Sequence, residues 1–285
     1  MKLSYIIDFE IYIFSFSLFS FDISSIAARI LVAFEITLGI WLLSTIKILA
    51  ANIIALATLV AFSIFLIWRW AMNDMSSCHC FGEPIQMSPR ISLLKNGILI
   101  LLLCIGWKGH SMRILKKSGY ILILLLLAVF SIFIFMVKPP DFYYRIGASA
   151  ETSVIPENWI GLSEGKFYGK KIICLYSTEC KHCRRCSEKI TGIILRHGIP
   201  EESVRNIFMH LSNNDKDAIN SFYHNYGHDL AIPYIILDTE KFLSITNGGM
   251  PVILITENGT VLKEYNYLTL DEKEIAGLMS PAITE

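Results

Sequence analysis

The run Tyr120–Val137 holds no charged residue in eighteen positions, and three other apolar stretches, Ala27–Ile46, Ile48–Trp68 and Ile91–Trp107, lie upstream of it. Each approaches the roughly 20 residues with which a helix crosses about 30 Å of hydrocarbon. The third is shorter and more polar, with Lys95 and Asn96 inside it. Residues 26–137 are therefore expected to form an all-α four-helix membrane bundle. A hydrophobic fraction of 53%, only 18% charged residues and a mean hydropathy of +0.50 exclude a wholly soluble chain. Lys and Arg total 25 against 25 Asp and Glu, so the basic footprint of a nucleic-acid binder is absent.

Charges thin out before Lys138 and crowd after it, which predicts two halves in different solvents. Residues 1–25 lack the basic start, clean apolar core and small-residue cleavage site of a signal peptide. They are read as an interfacial segment, or the remnant of a further span. Lys108, Arg113, Lys116 and Lys117 share one short loop without an acid, and Lys47 lies in another. The positive-inside rule puts both loops in the cytoplasm. Alternation then places the loop 69–90 and everything after Val137 outside, in one oxidising compartment.

Residues 138–165 carry Pro139, Pro140 and Pro156 with little periodicity and read as a linker. Beyond it, residues 166–285 alternate apolar strands and amphipathic helices: strand Lys171–Tyr176, helix Lys181–His197, strand Val204–Leu211, helix Asp215–Tyr226, a hairpin Pro251–Thr256 and Val261–Tyr267, and a closing helix Asp271–Met279. Cys180-Lys181-His182-Cys183 falls at the first strand-to-helix junction. A cysteine there feels the positive end of the helix dipole, which favours thiolate, and a second cysteine one turn on can attack a mixed disulfide. Half of a zinc site is the competing reading of one such pair. Cys186 extends the string, but Ile190 stands where an iron–sulfur motif needs its fourth cysteine. Cys186 and Cys174 are expected to be buried small hydrophobes, and His182 to support a thiolate at Cys180.

This arrangement resembles the thioredoxin fold, so the second half is expected to be a soluble α/β thioredoxin-like domain. The resemblance implies that Pro251 is the cis-proline beside the dithiol and that Met250, preceding it, touches substrate.

A second motif, Ser77-Cys78-His79-Cys80-Phe81-Gly82, lies in the loop between the second and third spans. Cysteines one residue apart close only a small, strained ring, and strain makes a disulfide labile and oxidising. A Cys-His-Cys clamp for a soft metal is the alternative, although it lacks an evident further ligand. With Glu35 in the first span, Trp68-Arg69 closing the second, and Ser92, Lys95 and Asn96 opening the third, this loop resembles the methylamine-utilisation MauE family, related to DoxX membrane proteins. The resemblance implies a multi-pass protein of the bacterial inner membrane that supports redox maturation of extracytoplasmic proteins, here fused to its thioredoxin-like partner.

The expected function is that of a thiol–disulfide oxidoreductase relaying electron pairs between Cys180/Cys183 and Cys78/Cys80, with extracytoplasmic thiol or disulfide proteins as clients. A quinone is the simplest onward carrier by analogy. Glu35 and Lys95 are supporting candidates, because intramembrane charges usually face a bundle interior and a partner. The alternative function is delivery of copper or another soft metal by the same cysteines, while no resident metal is expected.

The topology is open to direct measurement. A membrane-impermeant thiol reagent applied to spheroplasts should label Cys180 and reduced Cys78 or Cys80, and should miss the Ser111→Cys variant; labelling of Ser111→Cys without permeabilisation would invert the reading.

Overall fold

The computed structural model describes residues 6–16, 18–44, 48–71, 89–107, 118–137, 139–145, 168–212, 214–226 and 232–280. The chain divides into two compact units. The first comprises Met1–Ile13 and Ile23–Pro139, the second Phe14–Asp22 and Pro140–Glu285.

Five helices contribute to the first unit: α1 (Ile6–Phe14), α2 (Phe21–Leu43), α3 (Ile48–Ala71), α4 (Pro89–Trp107) and α5 (Ser118–Val137). Two stretches, Phe21–Leu43 and Ile48–Trp68, are long and apolar enough to cross a membrane, and Ile121–Met136 is a shorter apolar one. Among the described residues, two of the four spans expected from the sequence meet both criteria. Small residues let the helices approach: Ala33 packs with Ile6, Val32 and Ile134, and Ala51 and Ala55 with Leu38 and Trp41. Outward-facing Ile121, Leu122, Leu124, Leu125, Ile132 and Met136 leave α5 with an apolar surface that suits lipid.

The start of α2 departs from the sequence reading, which began the span at Ala27. Asp22, Ser24 and Ser25 interrupt the hydropathy without interrupting the helix. Within the first unit Ser25 Oγ donates to Glu10 Oε2 at 3.0 Å, Arg29 Nη1 donates to Ser25 Oγ at 2.9 Å, and Arg29 pairs with Glu10, all of them buried. Residues read as an interfacial segment therefore form a helix with buried acids. A charge removed from water persists when paired and hydrogen-bonded, and this cluster meets that condition. In α4 the buried neutral amide of Asn96 donates from Nδ2 to Ser63 Oγ at 3.1 Å.

The second unit is built on a five-stranded sheet of β1 (Lys170–Tyr176), β2 (Val204–Met209), β3 (Tyr234–Leu237), β4 (Val252–Glu257) and β5 (Thr260–Tyr265), in the order β3-β2-β1-β4-β5. β1, β2 and β3 run parallel, and β4 and β5 antiparallel to their neighbours. The helices are α6 (Phe142–Arg145), α7 (Lys181–His197), α8 (Asp215–Tyr226), α9 (Thr239–Thr246) and α10 (Glu272–Met279). Central β1 is buried from Ile172 to Tyr176, as a continuous apolar run covered on both faces should be. Its Ile173 and Leu175 pack with Ile207, Leu254 and Phe242 of α9, whereas Tyr176 meets Phe208 and Phe222 of α8. The turn between β4 and β5 places Asn258 and Gly259 at φ of 52° and 85°, the left-handed pair a two-residue hairpin requires. The second half is thus an α/β domain, as the sequence leads one to expect. β3 and α9 had no counterpart in the sequence reading, because four residues are too few to show a period.

The connector 14–22 and the residues from Pro140 on belong to this second unit, and of the expected linker 138–165 the structure describes 139–145, with α6 inside it. Phe14 lies over Gly192 of α7, where any Cβ would fall 2.4 Å from the ring. Asp141 pairs with Lys189 of α7, both buried, and the Lys189 ammonium stands 4.4 Å from the Phe21 ring centre.

Removing the Asp141 carboxylate would strand the Lys189 charge in the interior. Asp141→Ala should destabilise the chain by about 3–5 kcal/mol, and adding Lys189→Met should recover most of the loss. Thermal unfolding followed by circular dichroism checks both; an unchanged midpoint in Asp141→Ala would show the pair to be dispensable.

Candidate active site

β1 ends at Tyr176, and Ser177–Glu179 turn the chain directly into α7. An α-helix leaves its first amides without internal partners, and at α7 a sulfur takes that place. Cys180 is the N-cap, in extended conformation, and its Sγ accepts from the Cys183 amide at 3.2 Å. Gly198 ends the same helix at φ 62°, closing it with a bond from its amide to Ile194 O. The helix is thus capped at both ends, with the cysteine at the electropositive one.

The two sulfurs of the pair have unlike surroundings. Cys180 is half-buried and Cys183 fully buried, and the Ser177 amide points at Cys183 Sγ from 3.5 Å. The Cys180 pKa falls from 9.0 to about 6. Hydrogen bonding from Cys183 is the largest cause; burial opposes it, and the amides of Cys183 and His182 with the Arg184 guanidinium add to it. Cys183 moves the other way, far above the ordinary range, first through burial and then through its bond to Cys180. Burial likewise lifts Cys186, and pushes Cys174 up to about 12. One sulfur is therefore a nucleophile at neutral pH and its neighbour a protonated thiol held beside it.

Pro251 follows a cis peptide bond from Met250. The Met250 carbonyl lies 4.0 Å from Cys180 Sγ, which donates to it as a thiol, so the dithiol and the start of β4 share one edge. His182 stands on the first turn of α7 with its ring against Tyr267. Cys174 and Cys186 are buried, in line with their expected role as small hydrophobes.

Elsewhere, Glu35 lies on the wall of a cavity of about 470 Å³ in the first unit, with Asn52 and Thr58 among otherwise apolar neighbours. Lys95 is half-buried on α4. Cys78 and Cys80 lie outside the described residues. Among the described residues no three His, Cys, Asp or Glu side chains gather as a metal site.

Two contributors escaped the sequence reading. Arg184 donates from Nε and Nη2 to the Thr178 carbonyl at 3.3 and 3.1 Å, bracing the turn that carries Cys180. Tyr267 comes from beyond β5, and no local pattern links it to His182. The arrangement as a whole, a thiolate in reach of a buried thiol at a helix terminus, is that of a thiol–disulfide oxidoreductase.

Residues 1–109 match the family model described as methylamine utilisation protein MauE. Protein TlpB of Flavobacterium psychrophilum is 25% identical over 295 residues, spanning 85% of this chain and 78% of that protein. Solved structures similar to it include the thioredoxin domain of a thiol–disulfide oxidoreductase from Bacteroides vulgatus, at 11% identity, 40% of this chain, 82% of that chain and TM-score 0.31. Another is a secreted Mycobacterium tuberculosis disulfide oxidoreductase, at 13%, 48%, 96% and 0.32.

The unequal thiols set the pH dependence. Because the folded value of Cys180 lies below the ordinary one, its stabilisation of the folded, reduced chain is full above pH 9 and disappears as the pH falls through about 6. Alkylation of Cys180, read residue by residue by mass spectrometry, should reach half its plateau rate near pH 6, with Cys183 and Cys186 slow throughout. A Cys180 rate still climbing through about pH 8.5, the free-cysteine value, would sink the assignment.

Proposed function

We propose that the chain is a membrane-bound thiol–disulfide oxidoreductase in which Cys180 and Cys183 exchange electron pairs with Cys78 and Cys80, in support of redox maturation of extracytoplasmic proteins. The observation that carries the reading is the Cys180 sulfur on the first amides of α7, beside the Met250 carbonyl and with Cys183 buried behind it.

In the oxidising direction the Cys180 thiolate attacks one sulfur of a Cys78–Cys80 disulfide, which releases the other as a thiolate. Cys183 then loses its proton and attacks the Cys180 sulfur of the mixed disulfide. The products are a Cys180–Cys183 disulfide and a Cys78/Cys80 dithiol, so two electrons have passed to the loop, with one proton released by Cys183 and the second taken from water. A client dithiol restores the starting state by the same two steps in reverse order, and leaves as a disulfide. Exchange through one nucleophile and one resolving thiol requires the inequality between Cys180 and Cys183 described above.

Met250 and Pro251 form the backbone edge against which an extended client segment would lie, and His182 supports the thiolate through its backbone amide. The onward acceptor for the loop dithiol is a lipid-soluble quinone in this reading. An apolar wall with a carboxylate, an amide and a hydroxyl, from Glu35, Asn52 and Thr58, suits such a ring. Lys95 is assigned a supporting role on α4, and the dithiol domain the extracytoplasmic side of the inner membrane.

Removal of the resolving thiol should trap the intermediate. In Cys183→Ala, Cys180 should remain covalently joined to Cys78 or Cys80. With a protease site engineered between residues 146 and 165, the two fragments should co-migrate without reductant and separate with dithiothreitol or after Cys180→Ala. Separation under oxidising conditions would show that the two pairs do not exchange.

A further inference from the structure

His182 lies between the two cysteines in sequence, yet its ring is engaged elsewhere. It stacks on Tyr267 with ring centres 4.1 Å apart and planes 25° from parallel. The partner is itself fixed from two sides. Asn266 Oδ1 accepts from the amides of Leu268 and Thr269 at 2.9 and 3.0 Å, and the Asn266 amide donates to Thr269 Oγ1 at 2.9 Å, closing the turn around Tyr267. The Tyr267 carbonyl accepts from Lys189 Nζ at 3.0 Å, and Lys189 is held in turn by buried Asp141. An aromatic ring on so restrained a backbone is a fixed surface.

We infer that Tyr267 is a positioning residue for the dithiol: by stacking on His182 it fixes that imidazole and sets how strongly it acts on the Cys180 thiolate. This rests on the reading of Cys180 and Cys183 as a redox pair. The groups around the imidazole are Lys181 and Arg185 of α7 and the Tyr267 phenol, with Asp141 and Tyr144 near Tyr267. Burial, then Arg185 and Lys181, lower the proton affinity of His182 and favour its neutral form. A neutral ring brings no charge to Cys180, whose thiolate is left to hydrogen bonds and Arg184. Without the Tyr267 ring, water reaches His182 and imidazolium becomes easier to form. A cation in the first turn of the helix that Cys180 caps favours its thiolate, and with it the reduced dithiol over the disulfide.

The test uses the full-length chain in detergent with Cys78→Ala and Cys80→Ala, so that Cys180 and Cys183 alone equilibrate with glutathione. Two thiols of the protein and one glutathione disulfide exchange for one protein disulfide and two glutathiones, and the constant is read by alkylation and mass spectrometry. Measurements at about pH 5.5 and about pH 7.5 bracket the ordinary histidine value. Tyr267→Ala should shift the constant about threefold toward the reduced dithiol at the lower pH, the size of a water-screened interaction between unit charges, and leave it unchanged at the higher. Tyr267→Phe, which keeps the ring, should match the unsubstituted chain at both, and Tyr267→Leu should follow Tyr267→Ala should the latter fail to fold. In a His182→Ala background the same substitutions should have no effect.

An unshifted constant at low pH, or an equal shift without His182, overturns the inference. Failure of the unsubstituted dithiol to exchange with glutathione would remove the oxidoreductase reading as well, whereas normal exchange with no response to Tyr267 would remove only this one.

Discussion

The first amides of α7 have no carbonyl of their own helix to meet, and the sulfur of Cys180 meets that demand. Much of the second unit can be understood as what keeps the sulfur there. β1, buried on both faces, brings the chain to a fixed exit at Tyr176; Arg184 reaches back to the Thr178 carbonyl and stiffens the turn; Gly198 closes the far end of the helix. A serine or aspartate would cap as well. Cysteine alone turns the same electrostatics into nucleophilicity, so helix stability and reactivity draw on one contact.

Buried charge is the second theme, and each unit handles it in the same way. Glu10, Ser25 and Arg29 form a closed set within the first unit, and Asp141, Lys189 and the Tyr267 carbonyl another within the second. Such sets contribute little net stability compared with well-packed apolar residues, but they are unforgiving of partial loss. In the second unit the set fixes the turn bearing Tyr267 against α7, and hence the surroundings of His182.

What could be read from the sequence follows from the range of the interaction concerned. The β1–α7 junction was legible because an apolar run, a turn and a Cys-x-x-Cys all lie within fourteen residues, 170–183. The hairpin was legible because Asn258-Gly259 accepts a backbone conformation that few dipeptides do. β3 was not, since Tyr234–Leu237 is fixed as a strand by its pairing with β2 and carries no pattern of its own. Nor could hydropathy place the start of α2, where Arg29 is neutralised by an acid from a separate helix. The stack on His182 was invisible for the same reason: it depends on a partner brought close only by the folded sheet.

The edges of the sheet bear on how such a domain survives contact with other chains. An open strand edge is a template on which any extended segment can build, and a protein that receives partly folded clients would be exposed to that capture. Here one edge, β3, is four residues long and begins directly after Pro233, which has no amide to offer. The other, β5, carries Lys263 and Glu264, and its pairing with β4 is interrupted by a register shift at Ile255/Thr256. Neither side offers a long, flat, uncharged border. Recruitment of foreign strands is thereby discouraged at both margins of the sheet.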